Sequence, residues 1–184
     1  ERQVEFDTFI DWQERAQVLK AGFDFDLNTS EIRSEIQFGH VTRPTHRNTT
    51  WDRARFEASM HRWVDMSEAD FGVALINDCK YGYDALEQQV RLTLVRGPSY
   101  PSPDADRGEH RLRYGLLVHG GLADLGEVHR AAERFNNPVA VFGTPQIAQA
   151  ETEALTRFSL VTIEADTVTI ETVKKAEDSD ALVL

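Results

Sequence analysis

Apolar and polar residues alternate along much of this chain. Phe23, Phe25 and Leu27 alternate with Asp24, Asp26 and Asn28, and Leu92 and Leu94 with Arg91 and Thr93. Leu112, Tyr114, Leu116 and Val118 keep the same period over a longer stretch. A two-residue period sets one face of a strand on a core and the other in water. Phe71 to Ile76 is almost continuously apolar, which predicts a strand covered on both faces. Val161 to Ile163 and Val168 to Ile170 flank a short polar stretch and predict a hairpin. One segment has another period. Leu122, Leu125, Val128, Ala132 and Phe135 recur every three or four residues until Asn136-Asn137-Pro138 stops them. This predicts one short helix over Ala123–Phe135, packed on a sheet edge. A further helical turn or two is expected over Ala148–Arg157. Residues 97–108 hold three prolines and two glycines between two strand patterns, so they form a loop and not a central strand. The expected fold is mainly all-β, an antiparallel β-sandwich with one short helix, in a single domain over 1–184. Trp51, Trp63, Phe71, Leu75, Leu94 and Leu116 are expected inside it.

Composition narrows the classes. Hydrophobic residues make up 41% of 184, enough for a core, and the net charge is −11. A duplex or an anionic membrane repels such a surface, so nucleic acid and membrane are not expected partners. No apolar run approaches the roughly 20 residues of a membrane span. Cys79 is the one cysteine, so no internal disulfide forms, in keeping with a reducing, cytoplasmic setting. Two Asn-x-Ser/Thr matches, at Asn28 and Asn48, carry no weight in that setting.

The chemistry is sparse. Asp104, Asp106 and Glu109 crowd beside His110, a set of oxygen ligands that suits calcium. Their spacing matches no EF-hand, and the plainer expectation is an acidic loop whose members pair with Arg107 or Arg113. The six histidines form no His-x-x-x-His pair, and one cysteine makes no zinc-finger spacing. No nucleophile elbow or phosphate loop is present. No catalytic and no metal-ligating residue is therefore assigned. One string stands apart. Asn77 to Asp84 directly follows the apolar run and offers amides, carboxylates, an ammonium and two aromatic rings around Gly82. Those groups suit sugar hydroxyls and C–H faces. Asn77, Asp78, Lys80, Tyr81 and Tyr83 are the candidates for a substrate-proximal loop. The bland alternative is a β-turn on which Asp78 and Lys80 pair in water.

Longer strings carry a resemblance. His61 to Glu68, Gly72 to Asp84, Leu94 to Pro98 and Pro101 to His110 resemble the post-barrel region of glycoside hydrolase family 38. Glu35 to Gly39, Arg43 to Asp52 and Arg55 to Glu57 look like the same family, in its bacterial and cytosolic-type α-mannosidases. The resemblance implies a sandwich similar to the galactose mutarotase-like supersandwich. It implies a zinc-dependent retaining parent enzyme that hydrolyses terminal α-mannosides in mannose metabolism. Zinc and the catalytic carboxylates would lie in an N-terminal barrel, so this chain itself would need no cofactor and be inactive alone. Both ends read as truncated. The expected partners are that barrel and an α-mannoside. A second copy of the chain is a further partner that unpaired sheet edges would admit. The competing reading is a stand-alone carbohydrate-binding or purely structural, oligomerising sandwich.

Overall fold

We describe the fold from a computed structural model, in which the described residues are 2–141, 159–165 and 168–184. Contacts divide the chain into two units, Glu1–Pro138 and Val139–Leu184, and each is taken by itself.

The first unit opens with β1 (Gln3–Trp12), β2 (Val18–Asp24), β3 (Glu31–Ile36) and β4 (Gly39–Pro44). A five-residue helix α1 (Thr50–Ala54) leads to β5 (Ala58–Ser59), β6 (Trp63–Ser67) and β7 (Gly72–Asn77). Then come β8 (Gly82–Leu86), β9 (Gln89–Arg96) and β10 (Gly108–His119). A 3-10 turn, Gly121–Asp124, runs into α2 (Leu125–Asn136). The strands make a six-stranded sheet, β1-β10-β7-β6-β3-β4, and a four-stranded sheet, β2-β9-β8-β5. Every pairing is antiparallel.

Two cores follow from the period-two pattern. Between the sheets lie Ile32, Val64, Leu75, Tyr83, Leu92 and Leu112. On the other side of the larger sheet, Trp63, Ala74, Ile76 and Leu117 pack against Val128, Ala132 and Phe135 of α2. Strand β7 is the hinge of this arrangement. Its odd positions, Val73 and Leu75, face one core, and its even positions, Ala74 and Ile76, face the other. All six of its residues are buried, as a strand covered on both faces requires.

Several expectations need correction. Trp51 is 81% exposed, because α1 is short and buries none of its residues. Phe71 is 44% exposed: its carbonyl closes a turn with the Glu68 N–H at 2.8 Å, so the strand begins one residue later. Leu116 is only half-buried, packed at the margin of the inter-sheet core, whereas Trp63, Leu75 and Leu94 are buried as expected. Among the described residues there are two α-helices where one was expected. The second, α1, carries a capping box in which Thr49 and Asp52 satisfy each other's backbone N–H groups. That Thr-x-x-Asp spacing was the available signal.

In the second unit, β11 (Lys174–Lys175) pairs with β12 (Leu182–Val183), and Lys175 Nζ lies 3.0 Å from Asp180. The hairpin expected from Val161–Ile163 and Val168–Ile170 is not formed, since the described residues there carry no strand. Val168 is 55% exposed and Ile163 37%, and a lone hairpin without a buried face is marginal in water. The helical turns expected over Ala148–Arg157 lie outside the described residues.

Candidate functional site

The Asn77–Asp84 string leaves the C-terminal end of β7, and its first residue builds the turn. Asn77 is buried. Its Nδ2 donates to the His61 carbonyl at 2.9 Å and its Oδ1 accepts the Lys80 N–H at 2.7 Å. Its carbonyl accepts the Asn136 amide of α2 at 3.0 Å. Asp78 turns the other way, toward β10. Its Oδ2 accepts the Arg113 N–H at 3.0 Å, and its N–H donates to the Arg113 carbonyl at 3.2 Å. The surface pair of Asp78 with Lys80 is not formed; Asp78 lies 3.9 Å from the Arg113 guanidinium instead. Among the described residues, Lys80 makes no ion pair, although it is half-buried. Tyr81 is 58% exposed, its ring edge-on to His61 at 6.3 Å. Tyr83 points into the inter-sheet core, where its hydroxyl meets Ser34 and the Arg43 guanidinium.

The five candidates therefore separate by role. Asn77 and Tyr83 are the mount, Asp78 anchors the turn to β10, and Lys80 and Tyr81 are presented. Between them sits Cys79. Its thiol is pushed up to about 11, first by burial of the sulfur and then by hydrogen bonding to Asp78. A thiol so held is a poor nucleophile.

Lys80 and Tyr81 border a cavity of about 210 Å³ whose other walls include Glu57, Thr93, Asp106 and His110. Glu57 was not legible as a site residue, because it lies on no periodic element. Its Oε1 accepts the Thr93 hydroxyl at 2.6 Å, and Lys20 Nζ stands 3.7 Å from Oε2. The same Lys20 donates to buried Asp84 at 2.6 Å, and Arg91 adds a second cation to Asp84 at 2.7 Å. Gly82 explains itself here. A Cβ on it would come within 2.7 Å of Glu57 Oε1, so the glycine leaves room for that carboxylate.

The acidic loop takes its plainer form. Asp104 pairs with Arg15 at 2.7 Å and Arg107 at 3.0 Å, and hydrogen bonds from Arg107 and then Arg15 hold its carboxyl below the usual carboxylate range. His110 Nε2 is 2.7 Å from the Asp106 carbonyl. Among the described residues, no group of three or more His, Cys, Asp or Glu is arranged to hold a metal ion. The donor sets here do not fit a zinc cage. No helix among those residues is long and apolar enough to cross a membrane.

A second polar cluster is sealed inside the unit. Asp65 of β6 and His119 of β10 have fully buried side chains, with Oδ1 and Nε2 2.7 Å apart. Ser67 donates to the other Asp65 oxygen at 2.6 Å, and His119 Nδ1 lies 3.2 Å from the Gly121 carbonyl. Gly72 of β7 lies under this bridge, and a Cβ there would come within 2.5 Å of the imidazole. With no opening to solvent the cluster is structural.

Known proteins bear directly on this arrangement. Residues 1–104 match the family model described as the glycosyl hydrolases family 38 C-terminal domain. The chain is 38% identical over 182 residues to alpha-mannosidase G of Dictyostelium discoideum, covering 99% of this chain and 17% of that one. It is 42% identical over 176 residues to human alpha-mannosidase 2C1, covering 96% and 16%. The chain thus spans about a sixth of the length of these curated relatives. Two solved structures share the fold. One, a glycosyl hydrolase family 38 protein from Enterococcus faecalis, superposes with a TM-score of 0.74 at 19% identity, covering 99% of this chain and 22% of that one. The other, an alpha-mannosidase from Enterococcus faecalis V583, gives 0.69 at 23% identity, with 75% and 17% covered. The two-sheet sandwich, the matched domain and the curated relatives agree: this chain belongs to glycosyl hydrolase family 38, as part of its C-terminal domain.

Proposed function

We propose that this chain is the non-catalytic β-sandwich region of a retaining, zinc-dependent α-mannosidase that removes terminal α-mannosides in the cytoplasm. The relatives are named alpha-mannosidases, and the chain corresponds to about a sixth of their length. Zinc belongs to a barrel outside this chain, and no step of the reaction is assigned to residues here. The role of the sandwich is to pack against that barrel and lend it one loop. The observation that carries this reading is the presentation of Lys80 and Tyr81. A strand buried on both faces ends in a turn locked at four points, and the two side chains not used in the lock face outward. A rigid strand end is a precise mount for a binding group. An ammonium offers three donors to sugar hydroxyls, and a phenol ring offers an apolar face with a polar tip.

The test uses the full-length enzyme. Lys80→Ala and Tyr81→Phe should lower kcat/KM for an aryl α-mannoside by roughly tenfold, about 1.4 kcal/mol of transition-state binding, with little change in Tm. Wild-type kinetics in both variants would make the loop purely structural. In that case Asn77, Asp78, Lys80, Tyr81 and Tyr83 are discarded as site residues, and the sandwich is a structural or oligomerising part of the enzyme.

A further inference from the structure

The cavity beside Lys80 has a chemistry of its own. We propose that it is a binding site for one neutral pyranose ring, in which Glu57 accepts and Lys80 donates hydrogen bonds to neighbouring hydroxyls while Tyr81 covers a C–H face. This rests on the reading that the Asn77–Asp84 turn addresses sugar, and it adds the residue and the ligand class.

Four observations converge on it. First, Glu57 is prearranged. Thr93 fixes one oxygen at 2.6 Å, Lys20 draws the other from 3.7 Å, and Gly82 leaves the space in which the carboxylate sits. A carboxylate has about four lone-pair sites, so these contacts leave acceptor capacity for a ligand. Secondly, Lys80 is half-buried at the cavity and, among the described residues, forms no ion pair, so its donors stay available. Thirdly, the lining carries both signs, Lys80 and Arg96 against Glu57 and Asp106, so neither an anion nor a cation finds a matched site there. A neutral polyol satisfies both signs, because each hydroxyl both donates and accepts. Fourthly, the volume of about 210 Å³ lies below the range of roughly 300–1,000 Å³ for drug-sized ligands and suits a single ring. The exposed Tyr81 ring at the rim, steadied by His61, supplies the apolar face that such a ring needs.

The experiment compares KM and kcat in the full-length enzyme with an aryl α-mannoside. Glu57→Ala should raise KM about tenfold and leave kcat within about twofold, as expected for binding lost equally in ground and transition states. Lys20 keeps Asp84 as its partner in that variant, so it is not left as an unpaired buried cation. Gly82→Ala is the second variant: it retains the charge, displaces the carboxylate and should raise KM in the same direction. Inorganic phosphate should not compete with the mannoside. Wild-type KM in folded Glu57→Ala and Gly82→Ala proteins overturns the site, and so does competition by phosphate. If Lys80→Ala lowers kcat/KM while both of these variants are silent, the loop reading stands and the pyranose site falls. If Lys80→Ala and Tyr81→Phe are silent as well, both fall.

Discussion

Arg113 lies over the ring of Phe135, its guanidinium carbon 4.7 Å from the centroid, and its Nη2 donates to the Phe135 carbonyl at 3.0 Å. One side chain thus caps the last turn of α2 and covers its final buried aromatic, while its own backbone holds Asp78. The helix end, β10 and the candidate loop meet at this residue. Arg113→Ala should destabilise the chain by about 1–3 kcal/mol, the sum of a cation–π contact and a charge-assisted hydrogen bond. Arg113→Lys should restore less than half of that, because an ammonium cannot lie flat on the ring and reach the carbonyl together. Denaturant unfolding of the three proteins gives the comparison.

The Asp65–His119 bridge should behave as a unit. Removing either partner strands the other in a site with no solvent contact, which costs about 3–5 kcal/mol. Asp65→Ala and His119→Ala should each fall in that range, and the double variant should lose well under the sum. Additive losses in a double-mutant cycle would mean that the two side chains do not interact. Gly72→Ala should be severe for a different reason, since its methyl group collides with the imidazole.

Cys79 gives a prediction in pH. Its thiol holds its proton up to about 11 in the folded chain, against 9.0 for a free thiol. The folded state therefore binds this proton more tightly than the unfolded state. The stability it contributes is fully present below pH 9.0 and is lost as the pH rises toward 11. At pH 8 a two-unit rise lowers the thiolate fraction about a hundredfold, so alkylation by iodoacetamide should be far slower than for an unfolded control. Asp78→Asn should speed it by removing the carboxylate that favours the protonated form. Labelling at the unfolded rate in the folded protein would contradict this.

Trp51 can be followed by fluorescence. Trp12 and Trp63 are 8% and 3% exposed, whereas Trp51 is 81% exposed. Iodide should quench one emitting component of this chain, and Trp51→Phe should remove it. Because Trp51 buries nothing in α1, that substitution should shift stability by no more than about 0.5 kcal/mol. Loss of quenching in the full-length enzyme would locate the barrel, or another domain, over α1.

The sequence made β7, β9, β10 and the long loop legible because burial imposes a readable apolar pattern, whereas β1, β3, β4, β5, β6 and β8 were not read from it. Leu112 and Tyr114 show it on β10, and the unbroken run of β7 announced a second cover, which α2 provides. Trp51 and Phe71 misled for the same reason: an apolar residue type says what a side chain prefers, not which side of a cap or turn the backbone gives it. At the candidate loop, composition pointed to the Asn77–Asp84 string but could not sort mount from presented group. That sorting depends on hydrogen bonds to His61, Asn136 and Arg113, which lie 16 to 59 positions away. Glu57 was invisible because its role comes from Thr93 and Lys20, each on a different strand.

A strand without a free face has no slack, and this bears on what holds its end in place. β7 is gripped by the inter-sheet core on one side and by α2 on the other, and Asn136 at the end of that helix holds the carbonyl of Asn77. The backbone of the turn bearing Lys80 is therefore tied to α2 as well as to the two sheets, and the helix end is part of what fixes its place.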